Sequence, residues 1–355
     1  MQVQQTLTAY LIAFGLMTLW HGALSDTFGR RRVILVCLGL FALASLGCLF
    51  AGRIETLWLL RFLQGMVGGG GMVVGRALIR DLYDGPQAQK LMARIAIMFA
   101  LAPAVAPVLG GWLQQAFGWR SIFLFLFVAS AVLTWACWCW LPETLPVARR
   151  QPFTPRFLLT SYRRVCLSRP FLALCLAFAF NFLAFFIYVL SANSFLIQHL
   201  QLPETAFLWL FGPAMLGLVS GSWLSGRSAG RLSPRRTLAW AYALMALGAG
   251  LNLLLSHLLT PAVPWSVLHL YVFNVGMSLA MPVLTLLALD LFPAQRGLAA
   301  SCQSFLQSIL NSLGAGLLAP LLWGDVRHLA WGMLLLMLLG GLCTGLYLRR
   351  RTAAG

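Results

Sequence analysis

The chain has 355 residues, 60% hydrophobic and only 9% charged, with a mean hydropathy of +0.85. A soluble domain carries about 25% charged residues, so this composition excludes a water-soluble globule and marks an integral membrane protein. The net charge of +17 would suit a nucleic-acid partner, but the basic residues lie in short segments between apolar runs, a membrane-orientation pattern that excludes that reading.

Eleven apolar runs are predicted as spanning helices, at 3–24, 33–51, 56–79, 91–113, 121–141, 171–190, 205–224, 236–258, 265–289, 299–322 and 329–348. Each is near the ~20 residues that a bilayer crossing needs. Period-2 alternation is absent, which argues against a transmembrane barrel. On this topology 21 of the 25 Lys/Arg fall on one membrane side, Arg53, Arg120 and Arg327 on the other, and Arg61 inside a run. The rich side is cytoplasmic, with attraction to anionic lipid as a consequence. The first twenty residues lack a charged leader and do not form a signal peptide.

In chain order, the first informative stretch is Gly22–Arg32, GALSDTFGRRR. It reads as a tight loop between two spans. Gly22 and Gly29 allow close backbone approach and reversal. Asp26 stands near a helix end, where it accepts backbone N–H groups or pairs with a cation. Residues 57–71, LWLLRFLQGMVGGGG, place Arg61 within a span; such a residue faces the bundle interior or a wet cavity. Gly68–Gly71 allow tight helix packing. Arg76, Arg80 and Asp81 end this span, and Asp81 is the natural partner of an arginine from 30–32.

The next span contains APAVAPVLGG at 102–111. Pro103 and Pro107 each remove a helical hydrogen bond, and Gly110 and Gly111 permit a neighbour to come close. Residues 142–170 are polar and arginine-rich, a linker between two membrane halves at 1–141 and 171–355. The second half echoes the first: GSWLSGRSAGRLSPRR at 221–236 parallels Gly22–Arg32, with Gly226 where Asp26 stood. Tyr10, Asn181, Tyr188, Asn274, Gln303, Gln307 and Asn311 are polar positions within spans. The last three share one helix face. They read equally as cavity lining or as hydrogen-bond glue between helices. The eight cysteines form no C-x-x-C and sit nearly all in apolar runs as small hydrophobes. Neither a metal site nor a disulfide framework is indicated, and no cofactor is expected.

Gly22, Leu24, Ser25, Asp26, Gly29, Arg30, Arg31 and Arg32 match the major facilitator superfamily signature G-x-L-[SA]-D-[RK]-x-G-R-[RK]-[RK], with Thr27 departing from it. Arg61, Gln64 and Gly65 match its R-x-x-Q-G. Ala106, Pro107, Gly110 and Gly111 resemble its antiporter pattern G-P-x-x-G-G, with Ala106 replacing the first glycine. The combination resembles the drug/proton antiporters, the bicyclomycin-resistance (Bcr/CflA) branch above all. GRALIRDLYD (75–84), FGWRSIF (117–123), LPET (141–144) and LFPAQRGLAAS (291–301) carry the phrasing of these drug-exporting relatives.

The resemblance implies an all-α membrane fold of two pseudo-repeated halves, here with eleven of twelve helices, the family's first being the one missing. It implies a conformational latch built from Gly22, Asp26, Gly29, Arg30, Arg31, Arg80 and Asp81. Arg61, Gln64 and Gly65 would serve proton coupling or the cavity, and Pro103, Pro107, Gly110 and Gly111 the antiporter motif. The implied activity is proton-coupled export of a small molecule, drug-like or a metabolite, by a monomer in the bacterial inner membrane, with the bilayer as its other partner. The acidic residue that the branch carries in its first helix has no counterpart here. Two alternatives therefore stay open, a metabolite uniporter and an inactive remnant of such a transporter. An enzyme is disfavoured, since the five histidines are dispersed and no paired-carboxylate or Ser-His arrangement is evident.

Overall fold

The computed structural model describes residues 2–203 and 206–353; the side chains of 2–4, 8, 100, 103, 104, 107, 108 and 350–353 lie outside the described set. Its helices are α1 (Gln2–Phe28), α2 (Arg30–Phe50), α3 (Ile54–Gly68), α4 (Gly70–Leu82), α5 (Gly85–Phe117), α6 (Arg120–Trp140) and α7 (Pro155–Cys166). They continue with α8 (Arg169–Leu190), α9 (Leu208–Ser228), α10 (Pro234–Leu258), α11 (Trp265–Asp290), α12 (Arg296–Leu313), α13 (Ala319–Leu322) and α14 (Val326–Ala353). Among the described residues, ten helical spans are long and apolar enough to cross a membrane. The predicted span 91–113 lies in α5, which contains side chains outside the described set.

Two expectations change in detail. The stretch 22–32 is not a loop: α1 runs on to Phe28 and α2 starts at Arg30, leaving Gly29 alone between them. Gly29 has φ +100, a backbone conformation closed to most L residues. A side chain there would also collide with Glu143 and Arg150. The span 56–79 is two helices meeting at Gly69. Gly68, Gly69 and Gly70 lie so close to Tyr10, Thr18, His21 and Cys37 that Cβ atoms would crowd them.

The chain divides into two compact units. Unit 1 comprises Met1–Tyr83, Val105–Leu167 and Leu289–Phe305; unit 2 comprises Asp84–Ala104, Ser168–Ala288 and Leu306–Gly355. In unit 1, α1 packs on α3 and α2 on α6 and α3, around Val33, Ile34, Cys37 and Val74. Helix α6 buries Ser130 and turns Leu133, Trp135 and Trp138 outward, a surface suited to lipid rather than water. The linker, expected to be polar chain, folds as the short helix α7. Thr154 caps it by accepting the Phe157 N–H, and proline stands in its first turn. Its apolar side, with Leu158 and Val165 buried, faces inward.

In unit 2, α14 packs on α8 and α10, and α11 is buried over most of its length. Polar pairs join these helices. Asn181 Nδ2 donates to Tyr242 Oη at 2.9 Å, and Tyr242 bonds Thr344 at 2.8 Å. Asn252 Nδ2 donates to Tyr188 Oη at 2.6 Å.

Candidate functional site

The signature residues gather on unit 1 where α1 ends. Asp26, in the last turn of α1, and Arg30, the first residue of α2, stand on either side of the break at Gly29, and both are buried, at 3% and 2% exposure. A lone charge there would be strongly unfavourable, so the partners decide whether the arrangement holds. Arg30 Nη1 meets Asp26 Oδ1 at 2.5 Å, its Nε donates to Asp81 Oδ2 at 3.0 Å, and Nη1 also donates to Ser25 Oγ at 2.6 Å. Asp81 in turn accepts Arg296 Nη1 through Oδ1 at 2.9 Å. The result is an alternating chain, Asp26–Arg30–Asp81–Arg296, of two carboxylates and two guanidiniums. Its charges cancel, and Arg30 and Asp81 each meet two opposite charges.

Two helix N-termini are built into this chain. Asp26 Oδ1 accepts the backbone N–H of Gly297 at 3.1 Å and Oδ2 that of Leu298 at 2.7 Å. These are first-turn donors of α12, where a carboxylate meets unsatisfied N–H groups and the positive end of the helix dipole. Glu143 does the same for α2: its Oε1 accepts the Arg30 N–H at 2.9 Å, since the N-cap, Gly29, has no side chain. The α1–α12 crossing is close because Gly22 meets Gly297; a methyl on Gly22 would overlap the Gly297 carbonyl. Ser301 Oγ closes the contact, accepting the Gly22 N–H at 2.8 Å and donating to the Thr18 carbonyl at 2.7 Å.

The other predicted residues fall elsewhere. Arg31 leaves the cluster: its Nη2 donates to the Trp138 carbonyl at 2.6 Å, and its guanidinium lies over the Trp138 ring. One residue beyond Arg30 on a helix, it points about 100° away. Arg80 pairs with Asp290 at 2.5 Å, in a bridge whose carboxylate side is partly exposed. Arg61 Nη1 donates to Gln64 Oε1 at 2.9 Å, and Gln64 Nε2 donates to Ser45 Oγ at 2.7 Å. The Arg61 guanidinium lies 4.7 Å from the Tyr10 ring centre, and Gly65 abuts the Tyr10 backbone. No carboxylate among the described residues pairs with Arg61.

Within α5, Pro103 and Pro107 have side chains outside the described residues. Gly110 and Gly111 have open space where a Cβ would stand, so the expected close helix approach is not formed at them among the described residues. Asn181, Tyr188 and Asn274 are buried and bonded inside unit 2, Asn274 Nδ2 to the Ala214 carbonyl at 3.4 Å. On α12, Gln303 is buried and Gln307 and Asn311 are half-buried.

Sequence reasoning left out Arg296, Gly297, Leu298, Ser301, Glu143 and Asp290 as site members. The signal was present: LFPAQRGLAAS and LPET carry five of the six, and only their place beside Asp26 was not readable. The second repeat is built differently. In unit 2, Gln89 Nε2 donates to the Ser225 carbonyl at 3.0 Å, and Gly226 offers no charge there.

The model of the Major Facilitator Superfamily matches residues 1–315. The chain belongs to the major facilitator superfamily. Among curated members, Multidrug resistance protein D of Escherichia coli (strain K12) is 32% identical over 323 residues, 90% of this chain and 78% of that protein. The Bicyclomycin resistance protein homolog of Haemophilus influenzae is 30% identical over 260 residues, 73% of this chain and 65% of that protein. Among solved structures, a bacterial homologue of the iron transporter ferroportin in an outward-facing state superposes with a TM-score of 0.76 at 19% identity, covering 96% of this chain and 89% of that one. The chain is therefore a multi-pass membrane transporter of the superfamily's drug-efflux branch, not an enzyme.

Proposed function

We propose that this superfamily member is a monomeric secondary transporter of the bacterial inner membrane that exports hydrophobic drugs or small metabolites in exchange for protons. Transport proceeds by alternating access, and the Asp26–Arg30–Asp81–Arg296 chain is the latch that holds one state at the cytoplasmic side. The observation that carries this reading is the Asp26 carboxylate, which binds a guanidinium of its own hairpin and two N–H groups of α12 at once. Residues Arg296–Ser301 lie 266 or more positions further along the chain than Arg30, in the half that the repeat assigns to the other lobe. A contact of that kind is discrete: it is made in full or lost in full, as a two-state element requires. The drug-resistance relatives support the substrate class, and the largely apolar spans suit hydrophobic compounds.

The test is efflux of a fluorescent hydrophobic dye from cells that lack their own exporters. Wild type should lower dye accumulation, and Asp26→Asn, expressed at the same membrane level, should not. Equal efflux by the two would sink the latch. The second reading, a proton-independent uniporter, draws on Arg61, which among the described residues pairs with no carboxylate. A protonophore that leaves transport unchanged would favour it.

A further inference from the structure

Two thiols stand together on unit 1. Cys166 is the last residue of α7, Cys302 lies in the second turn of α12, and their sulfurs are 3.9 Å apart and hydrogen-bonded. Cys302 is buried and Cys166 is open to solvent; neither is in a disulfide. Other bonds hold the two helices in this register. Gln295 Nε2 donates to Ser161 Oγ at 2.9 Å, and Tyr162 Oη, one turn before Cys166, donates to the Leu19 carbonyl at 2.8 Å. Ser301, the neighbour of Cys302, is tied to α1 through Gly22 and Thr18. The hydrogen bond with Cys302 holds the Cys166 thiol down to about 7, against burial, which raises it. A solvent-open sulfur with thiolate character beside a second thiol is the arrangement of an oxidisable pair.

We propose that Cys166 and Cys302 form a redox-sensitive dithiol whose disulfide fastens α7 to α12 and locks Arg296–Phe305 onto the rest of unit 1. With a peroxide as oxidant, the Cys166 thiolate attacks one peroxide oxygen. The O–O bond breaks, a sulfenic acid forms, and the departing hydroxide takes a proton to become water. The Cys302 sulfur then attacks that sulfur, its proton leaves with the hydroxyl as a second water, and the S–S bond closes. Two thiols lose two electrons and hydrogen peroxide gains them. Disulfide sulfurs lie about 2.05 Å apart, so closure moves them together by roughly 2 Å. Reversible bonds of this type are the regulatory ones in reducing compartments. Arrest of transport follows only if α12 must leave Asp26 during the cycle, and so rests on the latch reading; formation of the disulfide does not.

The experiment treats the full chain in membrane vesicles with hydrogen peroxide, alkylates the remaining thiols and maps the digest by mass spectrometry. A peptide pair joining Cys166 to Cys302 should form, vanish with dithiothreitol, and be absent from Cys166→Ser and Cys302→Ala. Dye transport by wild type should fall at least tenfold after peroxide and return with dithiothreitol, while Cys166→Ser transports at its untreated level throughout. Alkylation of both thiols without the linked pair overturns the dithiol. The linked pair with unchanged transport overturns the lock. Vesicles whose untreated protein moves no dye contradict the transporter reading, and the peptide map still decides the dithiol.

Discussion

Leu298 donates its backbone N–H to Asp26 Oδ2 at 2.7 Å across 272 residues of sequence. One carboxylate thus caps a helix that belongs, by repeat, to the other half of the chain, while pairing with Arg30 in its own hairpin. Removing its charge leaves a buried guanidinium and two helix donors short of an acceptor. Asp26→Asn should therefore cost about 3–5 kcal/mol, the range for a buried ion pair deprived of one member. Thermal unfolding of the detergent-solubilised protein measures this. A drop under about 1 kcal/mol, the value of surface pairs, would show that the site is wetter than its burial implies.

Asp81 and Asp290 make the matched comparison. Asp81 is nearly buried and bridges Arg30 to Arg296, whereas Asp290 is 41% exposed and meets Arg80. Asp81→Asn should lower both stability and dye efflux, and Asp290→Asn should change stability by less than about 1 kcal/mol. The two variants melting alike would contradict this ranking.

The glycines at the α1–α12 crossing should tolerate no side chain. Gly297→Ala would press a methyl against Arg30, Asp26 and the Gly22 carbonyl, at a cost of about 1–3 kcal/mol or more for overpacking. Gly75→Ala, in α4 with open space around it, should be neutral or gain up to about 1 kcal/mol from helix propensity. Melting temperatures of the two, moving in opposite directions, check the crossing.

The polar joints of unit 2 should matter for stability and little for transport. Tyr188→Phe removes the hydroxyl that Asn252 bonds, leaving it only the weaker Met333 Sδ contact, and should cost about 0.6–2 kcal/mol, as such bonds do within membranes. Dye efflux at wild-type rate with a lowered melting temperature is the expected pair of results. Loss of efflux without loss of stability would place Tyr188 among substrate-handling groups instead.

Arg61 should distinguish charge from shape. Its guanidinium spans Gln64 and the Tyr10 ring, a flat fork that an ammonium does not reproduce. Arg61→Lys should thus impair efflux nearly as much as Arg61→Ala. Full activity in the lysine variant would mean that positive charge alone suffices.

Much of this was legible in the residues. Apolar run length is a direct consequence of bilayer thickness, so the helices and most of their limits could be read. That Asp81 would meet an arginine of 30–32 was readable because both lie at span ends on the arginine-rich side. Which of Arg30, Arg31 and Arg32 would turn toward Asp26 was not readable, because a helix turns each successive side chain through about 100° and sequence proximity does not say which of them faces inward. The amphipathic turn of α7 lay hidden in a segment too polar to suggest a membrane element. Open space beside Gly110 and Gly111 had no sequence signature either, since a paired glycine reads the same whether or not a neighbour uses it.

The sequence alone determined that the chain spans a membrane by helices, how its basic residues are shared out among the segments between them, and which short motifs mark its family. These follow from hydropathy, helix geometry and local residue chemistry, all of which act within a few turns. Only the tertiary structure decided that Asp26 caps α12, that Arg296 joins the ion chain, and that Cys166 meets Cys302. Those pairings join residues more than a hundred positions apart, and burial chooses among many possible charge and thiol partners by which of them the packed helices bring within bonding distance.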